Sequence, residues 1–331
     1  MLIKDIGEQG LLAILQKFCP AEIVGDDCAV MATNPNKSLA ITTDMLVDGV
    51  HFSDRTTKPY DAGWRAAAAN LSDLAAMGAL PLAVTVALAV AADTAVLWVE
   101  EFYRGMTACL QEYHTPIVGG DIVRSPVVTV AITAFGEVEC DRTIRRSNAR
   151  SGWAIVATGV HGASRAGLEL LLNPEFGQNL TEVDRTSLIF AHQRPKPRLD
   201  VLPIIWEVLG FEGEFLIAGM DSSDGLADAI IQICRASGVG AKVDRQKIPI
   251  PDSLREIVST EKALDWALYG GEDFELVLFL PMANAQLLVE KIGNGAAIVG
   301  TAIDSIDIWL TDSSGRYPDA KLTIDRGFQH F

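Results

Sequence analysis

Positive charge is in short supply: 27 Lys and Arg stand against 43 Asp and Glu, for a formal net charge of −16. A protein whose main task is gripping nucleic acid needs basic patches, so that class is excluded. A small phosphate-bearing substrate is not, provided cations mediate. Cysteine is scarce as well. The five present (Cys19, Cys28, Cys109, Cys140, Cys234) form no CxxC pair. That argues against a zinc site or a disulfide scaffold and for a reducing compartment. No apolar run is long enough for a membrane span. The longest, ALPLAVTVALAVAA at 79–92, carries Pro81 near its start and reads as a strand buried on both faces. The opening MLIKDIGEQG lacks the apolar core of a signal peptide, so the expected location is cytoplasmic. Also missing are a P-loop (GxxxxGKS or GxxxxGKT), the HRD and DFG of protein kinases and the GxSxG of hydrolases. Lysines are few, and none lies in a glycine-rich loop.

What is present is carboxylate, in compact clusters beside glycines and hydroxyls. ITTDMLVDGVH at 41–51 reads as a buried strand that brings Thr42, Thr43 and Asp44 to its end, followed by a loop with Asp48 and His51. Carboxylate and hydroxyl oxygens together suit a hard divalent cation such as Mg²⁺. Other clusters are GDD at 25–27, NLSD at 70–73, GGD at 119–121, DSSD at 221–224 and GGED at 270–273. Each has a plain structural reading as a charged turn or a helix cap. Against it, DSSD offers four capping residues where one suffices. Asp73 sits in an Ala-rich helix where an unpaired carboxylate is costly. Carboxylates on many separate segments cannot share a site without cations. Arg142, Arg145 and Arg146 offer forks for phosphate oxygens or a solvated linker.

The length, 331 residues with 49% hydrophobic, suits two domains with sizeable cores. Helices are expected at 7–18, 59–78, from about 94 to 113, and at 163–172, 198–209, 227–236 and 283–292. Strands are expected at 39–43, 82–90, 127–137, 153–158, 215–220, 274–280, 296–300 and 306–310, with another short one running into GGD. The glycines of GGD would let backbone N–H groups approach a phosphate. The polar, basic stretch 139–152 reads as a linker between an N-terminal domain at 1–138 and a C-terminal α/β domain at 153–331.

In this order, GDDCAV, ITTDMLVDGVHF, NLSDLAAMGALP, GGD, DSSDGL, GGEDFEL and the terminal GFQHF resemble the thiamine-monophosphate kinase family. Its superfamily includes aminoimidazole ribonucleotide synthetase and selenophosphate synthetase. The resemblance runs from about residue 25 to the C-terminus. It implies an α/β (α+β) two-domain fold and a homodimer whose N-terminal sheets pair into a barrel-like core, with metal, ATP and dimer contacts in the N-terminal domain. It implies transfer of a phosphoryl group from ATP to thiamine monophosphate, assisted by several Mg²⁺ ions. By resemblance Asp27, Thr42, Thr43, Asp44, Asp73, Asp121, Asp221 and Asp224 match metal ligands. Tyr103, Gly120, Asp121, Arg146 and Ser223 match nucleotide contacts, and His51, Glu272 and Phe328 match substrate contacts. Ser222 departs from the pattern, where the family often has an apolar residue. Two other classes of function stay open on the residues: another ATP-dependent synthetase of the superfamily, and a silent nucleotide-binding subunit.

Overall fold

The structure, a computed structural model, describes residues 1–20, 23, 28–210, 214–293 and 295–327. It divides into two units, Met1–Leu74 with Ala79–Cys140, and Ala75–Gly78 with Asp141–Phe331.

The first unit contains α1 (Ile3–Leu15), β1 (Lys37–Val47), α2 (Pro59–Ala76), β2 (Leu80–Val90), α3 (Val96–Glu112), β3 (Ile117–Arg124) and β4 (Thr129–Glu139). The strands form one sheet in the order β1-β4-β2-β3, antiparallel except for the β2–β3 pair. That parallel pair needs a crossover, which α3 supplies. Side chains alternate along β2: Val84, Val86, Leu88 and Val90 are buried, whereas Thr85 and Ala89 are half-buried and Ala87 is exposed. Within the single chain, burial is therefore complete on one face only. Among the described residues α2 covers one face, touching β1 and β4, and the other face leaves Ile41 and Met45 of β1 exposed. The sheet is open, with no closed barrel among the described residues.

Two glycines set how closely α2 and α3 cross. A Cβ on Gly63 would stand 1.8 Å from the Phe102 carbonyl oxygen, and one on Gly105 would stand 1.7 Å from that of Tyr60. The Ala-rich face of α2 continues this close approach, with Ala62, Ala66 and Ala67 fully buried.

The second unit contains β5 (Ala154–Ala157), α4 (Ala163–Leu172), α5 (Glu182–Gln193), α6 (Leu202–Leu209), β6 (Ala218–Asp221) and α7 (Leu226–Ser237). After these come β7 (Gly240–Asp244), α8 (Asp252–Ile257), α9 (Thr260–Tyr269), β8 (Leu276–Leu280), α10 (Met282–Ile292), β9 (Ala297–Ile303), β10 (Ile308–Thr311) and β11 (Ala320–Lys321). Its sheet runs β11-β10-β7-β9-β5-β8-β6, mixed, with β5 and β8 fully buried. Residues 141–152 pack into this unit. Ile144 is buried, Arg142 donates to the Gly210 carbonyl at 2.7 Å, and Arg145 bridges to Ala218. Among the described residues no helix is long and apolar enough to cross a membrane.

Candidate functional site

In the first unit Thr42, Asp44, Asn70 and Asp73 come together where β1 lies against α2. β1 runs to Val47, so Asp44 is inside the strand and not at its end. The two-residue period of a strand puts Thr42 and Asp44 on the face toward α2 and Thr43 on the opposite face. There the Thr43 hydroxyl pairs with that of Thr133 at 2.9 Å. The hydroxyls of Thr42 and Thr43 therefore do not share a face. On the α2 side, Thr42 Oγ1 donates to Asp73 Oδ2. The backbone N–H of Asp44, on an edge strand, donates to Asn70 Oδ1 at 3.1 Å. Asn70 and Asp73, three apart, face β1 together.

His51 follows in the turn after β1. Its Nδ1 accepts the Val47 N–H at 3.0 Å. The neutral ring therefore carries its proton on Nε2, which becomes a donor.

At the far edge of the sheet, Gly119, Gly120 and Asp121 lie inside β3, again not at a strand end. β1 and β3 are opposite edges, three strand spacings apart, so Asp44 and Asp121 are separated by about 14 Å within the chain. Gly120 is required by packing: a Cβ there would meet the Val86 carbonyl oxygen at 2.0 Å. Close approach to β2 is by itself enough to require the glycine. Gly120, Asp121 and Tyr103 line one cavity of about 600 Å³, walled by Leu15, Val118 and Phe135. Tyr103 is buried with its ring 5.5 Å from that of Phe18, and burial pushes its phenol upward.

In the second unit, β6 ends at Asp221 and α7 begins at Leu226. The N-cap of α7 is Gly225 at φ 108°, and no side chain caps the helix. The plain reading of this cluster as a helix cap by Ser222, Ser223 or Asp224 is therefore not what the structure has. Ser223 Oγ instead donates to Asp221 Oδ1 at 3.1 Å. Ser222 is buried, its N–H on the Glu275 carbonyl at 2.8 Å and its hydroxyl 3.1 Å from His161 Nε2. His161 Nδ1 faces the Gly159 carbonyl at 3.1 Å. A carbonyl only accepts, so Nδ1 holds the proton and Nε2 accepts from Ser222. Burial pushes His161 down to about 4, which keeps the ring neutral. The departure at Ser222 therefore has a local partner. Ser222→Ala leaves a buried ring nitrogen unsatisfied, and urea unfolding is expected to show a loss of about 1–3 kcal/mol.

Arg146 Nη1 donates to Gln232 Oε1 at 3.2 Å, and Gln232 Nε2 donates to Asp228 Oδ2 at 2.9 Å. Asp228, in the first turn of α7, is buried. Gln232, which orients Arg146, was missed, although its four-residue spacing from Asp228 carried the signal. Asp224, Asp228 and Gln232 line a cavity of about 230 Å³ with Tyr269. The Glu272 N–H donates to the Ser223 carbonyl at 2.6 Å, so these two residues are neighbours. Asp27 and Phe328 lie outside the described residues. Among the described residues, no three His, Cys, Asp or Glu side chains gather as a metal-holding group.

A thiamine-monophosphate kinase of Synechococcus elongatus is 47% identical to this chain, with 99% of this chain and 98% of that protein covered. The chain belongs to the thiamine-monophosphate kinase family. Residues 25–138 match the family model of the AIR synthase related protein, N-terminal domain. Two solved structures agree along nearly the whole chain. The thiamine-monophosphate kinase of Stenotrophomonas maltophilia superposes with a TM-score of 0.77 at 31% identity, covering 91% of this chain and 94% of that one. AaThiL complexed with AMPPCP and TMP superposes with a TM-score of 0.72 at 31% identity, covering 97% and 98%.

Proposed function

We propose that this family member transfers the γ-phosphoryl group of ATP to the phosphate of thiamine monophosphate, giving ADP and thiamine diphosphate. The observation that carries this reading is the end-to-end likeness to a named thiamine-monophosphate kinase at 47% identity. A related structure holds AMPPCP, an ATP analogue, together with TMP.

The donor set fits Mg²⁺: carboxylates and hydroxyls only, with no thiolate or imidazole among them. Thr42, Asp44 and Asp73 would hold ions in the first unit, Asp121 at the other edge of its sheet, and Asp221 and Asp224 in the second unit, with Asp27 also in the set. The Thr43 hydroxyl, on the open face, is left out of the group formed with Asp73. When bound, Mg²⁺ neutralises charge on the phosphates. Tyr103, Gly120 and Asp121 would line the nucleotide's place, joined by Ser223 and by Arg146, which Gln232 orients. His51 would donate Nε2–H to a phosphate oxygen. Glu272, with Phe328, would face the thiamine, whose thiazolium is cationic. The acceptor is already an anionic phosphate oxygen, so the transfer needs no strong base, and none is among the proposed residues. The test is incubation with ATP, Mg²⁺ and thiamine monophosphate. Thiamine diphosphate by mass is the expected product; nucleotide binding without product overturns the reading.

The open face of the four-stranded sheet is the natural seat of a second copy, pairing the two sheets in a barrel-like core. On β1 it presents Leu39, Ile41 and Met45, the latter two more than half exposed. An exposed apolar face of this kind marks an interface. Sedimentation is expected to give twice the 35.6 kDa chain mass, and Ile41→Asp is expected to give the single chain.

A further inference from the structure

The turn carrying Glu272 is built against its backbone preferences. Gly271, Glu272 and Phe274 all have positive φ, at 66°, 59° and 53°. Glycine adopts this left-handed region freely, but residues with a Cβ are strained there. Two strained residues flank Asp273, so the turn needs an outside hold.

Asp273 supplies it. Its Oδ2 accepts the Gly162 N–H at 2.7 Å and its Oδ1 accepts the Ser164 N–H at 2.9 Å. Gly162 is the N-cap of α4 and Ser164 its second residue. The carboxylate thus occupies the end of a ten-residue helix where unpaired N–H groups and the dipole favour negative charge. Although Asp273 keeps some accessible surface, burial pushes its carboxyl up to about 7, against the pull of the two N–H donors. The same first turn of α4 also reaches Glu272. Ser164 Oγ lies 3.3 Å from Nδ1 of the buried His192 on α5, and that Nδ1 lies 3.7 Å from Glu272 Oε2. On the other side, the Glu272 backbone is tied to Ser223.

We propose that Asp273 is a positioning residue for substrate binding: it clamps the strained turn onto the start of α4 and so holds the Glu272 carboxylate beside Ser164 and His192, facing the substrate. This rests on the reading of Glu272 as a contact to thiamine monophosphate. Asp273 touches no substrate in this account and acts through Glu272.

The test is a double-mutant cycle in the full-length protein, with KM for each substrate measured separately. Glu272→Ala is expected to raise KM for thiamine monophosphate about tenfold or more and to leave KM for ATP within about twofold. Asp273→Asn keeps one carbonyl acceptor but sets an amide N–H against a backbone N–H. It is expected to raise KM for thiamine monophosphate by a similar factor, and to add little in the Glu272→Ala background. Ser164→Ala keeps both backbone donors and removes only the hydroxyl beside His192. It is expected to raise the same KM about threefold, with Ser164→Thr restoring it, and it serves as the test if Asp273→Asn does not fold. If Glu272→Ala leaves that KM unchanged, the reading of Glu272 fails. If Glu272→Ala raises it while Asp273→Asn does not, the positioning role is overturned. Full additivity in the double variant overturns it too, as does an unchanged KM in Ser164→Ala.

Discussion

Replacing Asp44 with Asn is expected to lower kcat about 10²–10³-fold, comparable to removing one preorganised electrostatic group from a phosphoryl- or acyl-transfer site. The fold should survive. Asn has nearly the volume of Asp, and the position is only half-buried on an edge strand. One tie to α2 runs through the Asp44 backbone N–H to Asn70, which the change leaves alone. The melting temperature is therefore expected to move by no more than about 2 °C. What is lost is a negative charge beside Thr42 and Asp73, where Mg²⁺ would sit. Raising Mg²⁺ should recover part of the rate if affinity for the ion is what failed. Turnover within about threefold of the parent at ordinary Mg²⁺ would remove Asp44 from the metal set.

Gly105→Ala is expected to have the largest effect on stability. The added methyl would stand 1.7 Å from the Tyr60 carbonyl oxygen and 2.5 Å from its carbon, both backbone atoms of α2. No rotamer relieves such a clash, so α3 must move away from α2. Overpacking of this kind costs about 3 kcal/mol, or a fall of about 10 °C in melting temperature. The same shift would carry Tyr103, two residues before Gly105 on α3, and the cavity it lines. Weakened nucleotide binding is expected alongside the loss of stability, read by calorimetry below the new melting point. An Ala variant as stable as the parent would show that the crossing is looser than these distances.

Much of the element order was legible because periodicity carries it. The helix from Pro59 and the helix at 163–172 follow their apolar patterns, and the structure places α2 and α4 there. What failed were the ends of strands. Thr-Thr-Asp and Gly-Gly-Asp look like turns, yet both continue pairing: Asp44 is in register with Ile132 and Asp121 with Ala87. Polar residues inside an edge strand are unexceptional, because one side of the ladder faces away from the sheet. The separation of Thr43 from Thr42 follows from strand period alone and was available from the start.

Helix α5 was overlooked because it is polar, with only Leu188 and His192 buried. Its start was nevertheless marked: Thr181 Oγ1 accepts the Asp184 N–H at 3.1 Å, the spacing of a capping box. His161 and His192 left no such trace. Each matters through a residue distant in sequence, Ser222 and Glu272, and a lone histidine gives no hint of its partner. The strain at Glu272 and Phe274 was equally hidden, since neither residue type announces a positive φ. The family resemblance points to the carboxylates; how the surrounding backbone holds them depends on partners distant in sequence.

The most direct test of the account uses ATP whose γ-phosphorus is made chiral with three oxygen isotopes. One in-line displacement by the phosphate of thiamine monophosphate inverts the transferred phosphorus. The account predicts thiamine diphosphate with its terminal phosphorus inverted. Retention would require a phosphorylated enzyme intermediate and would contradict it.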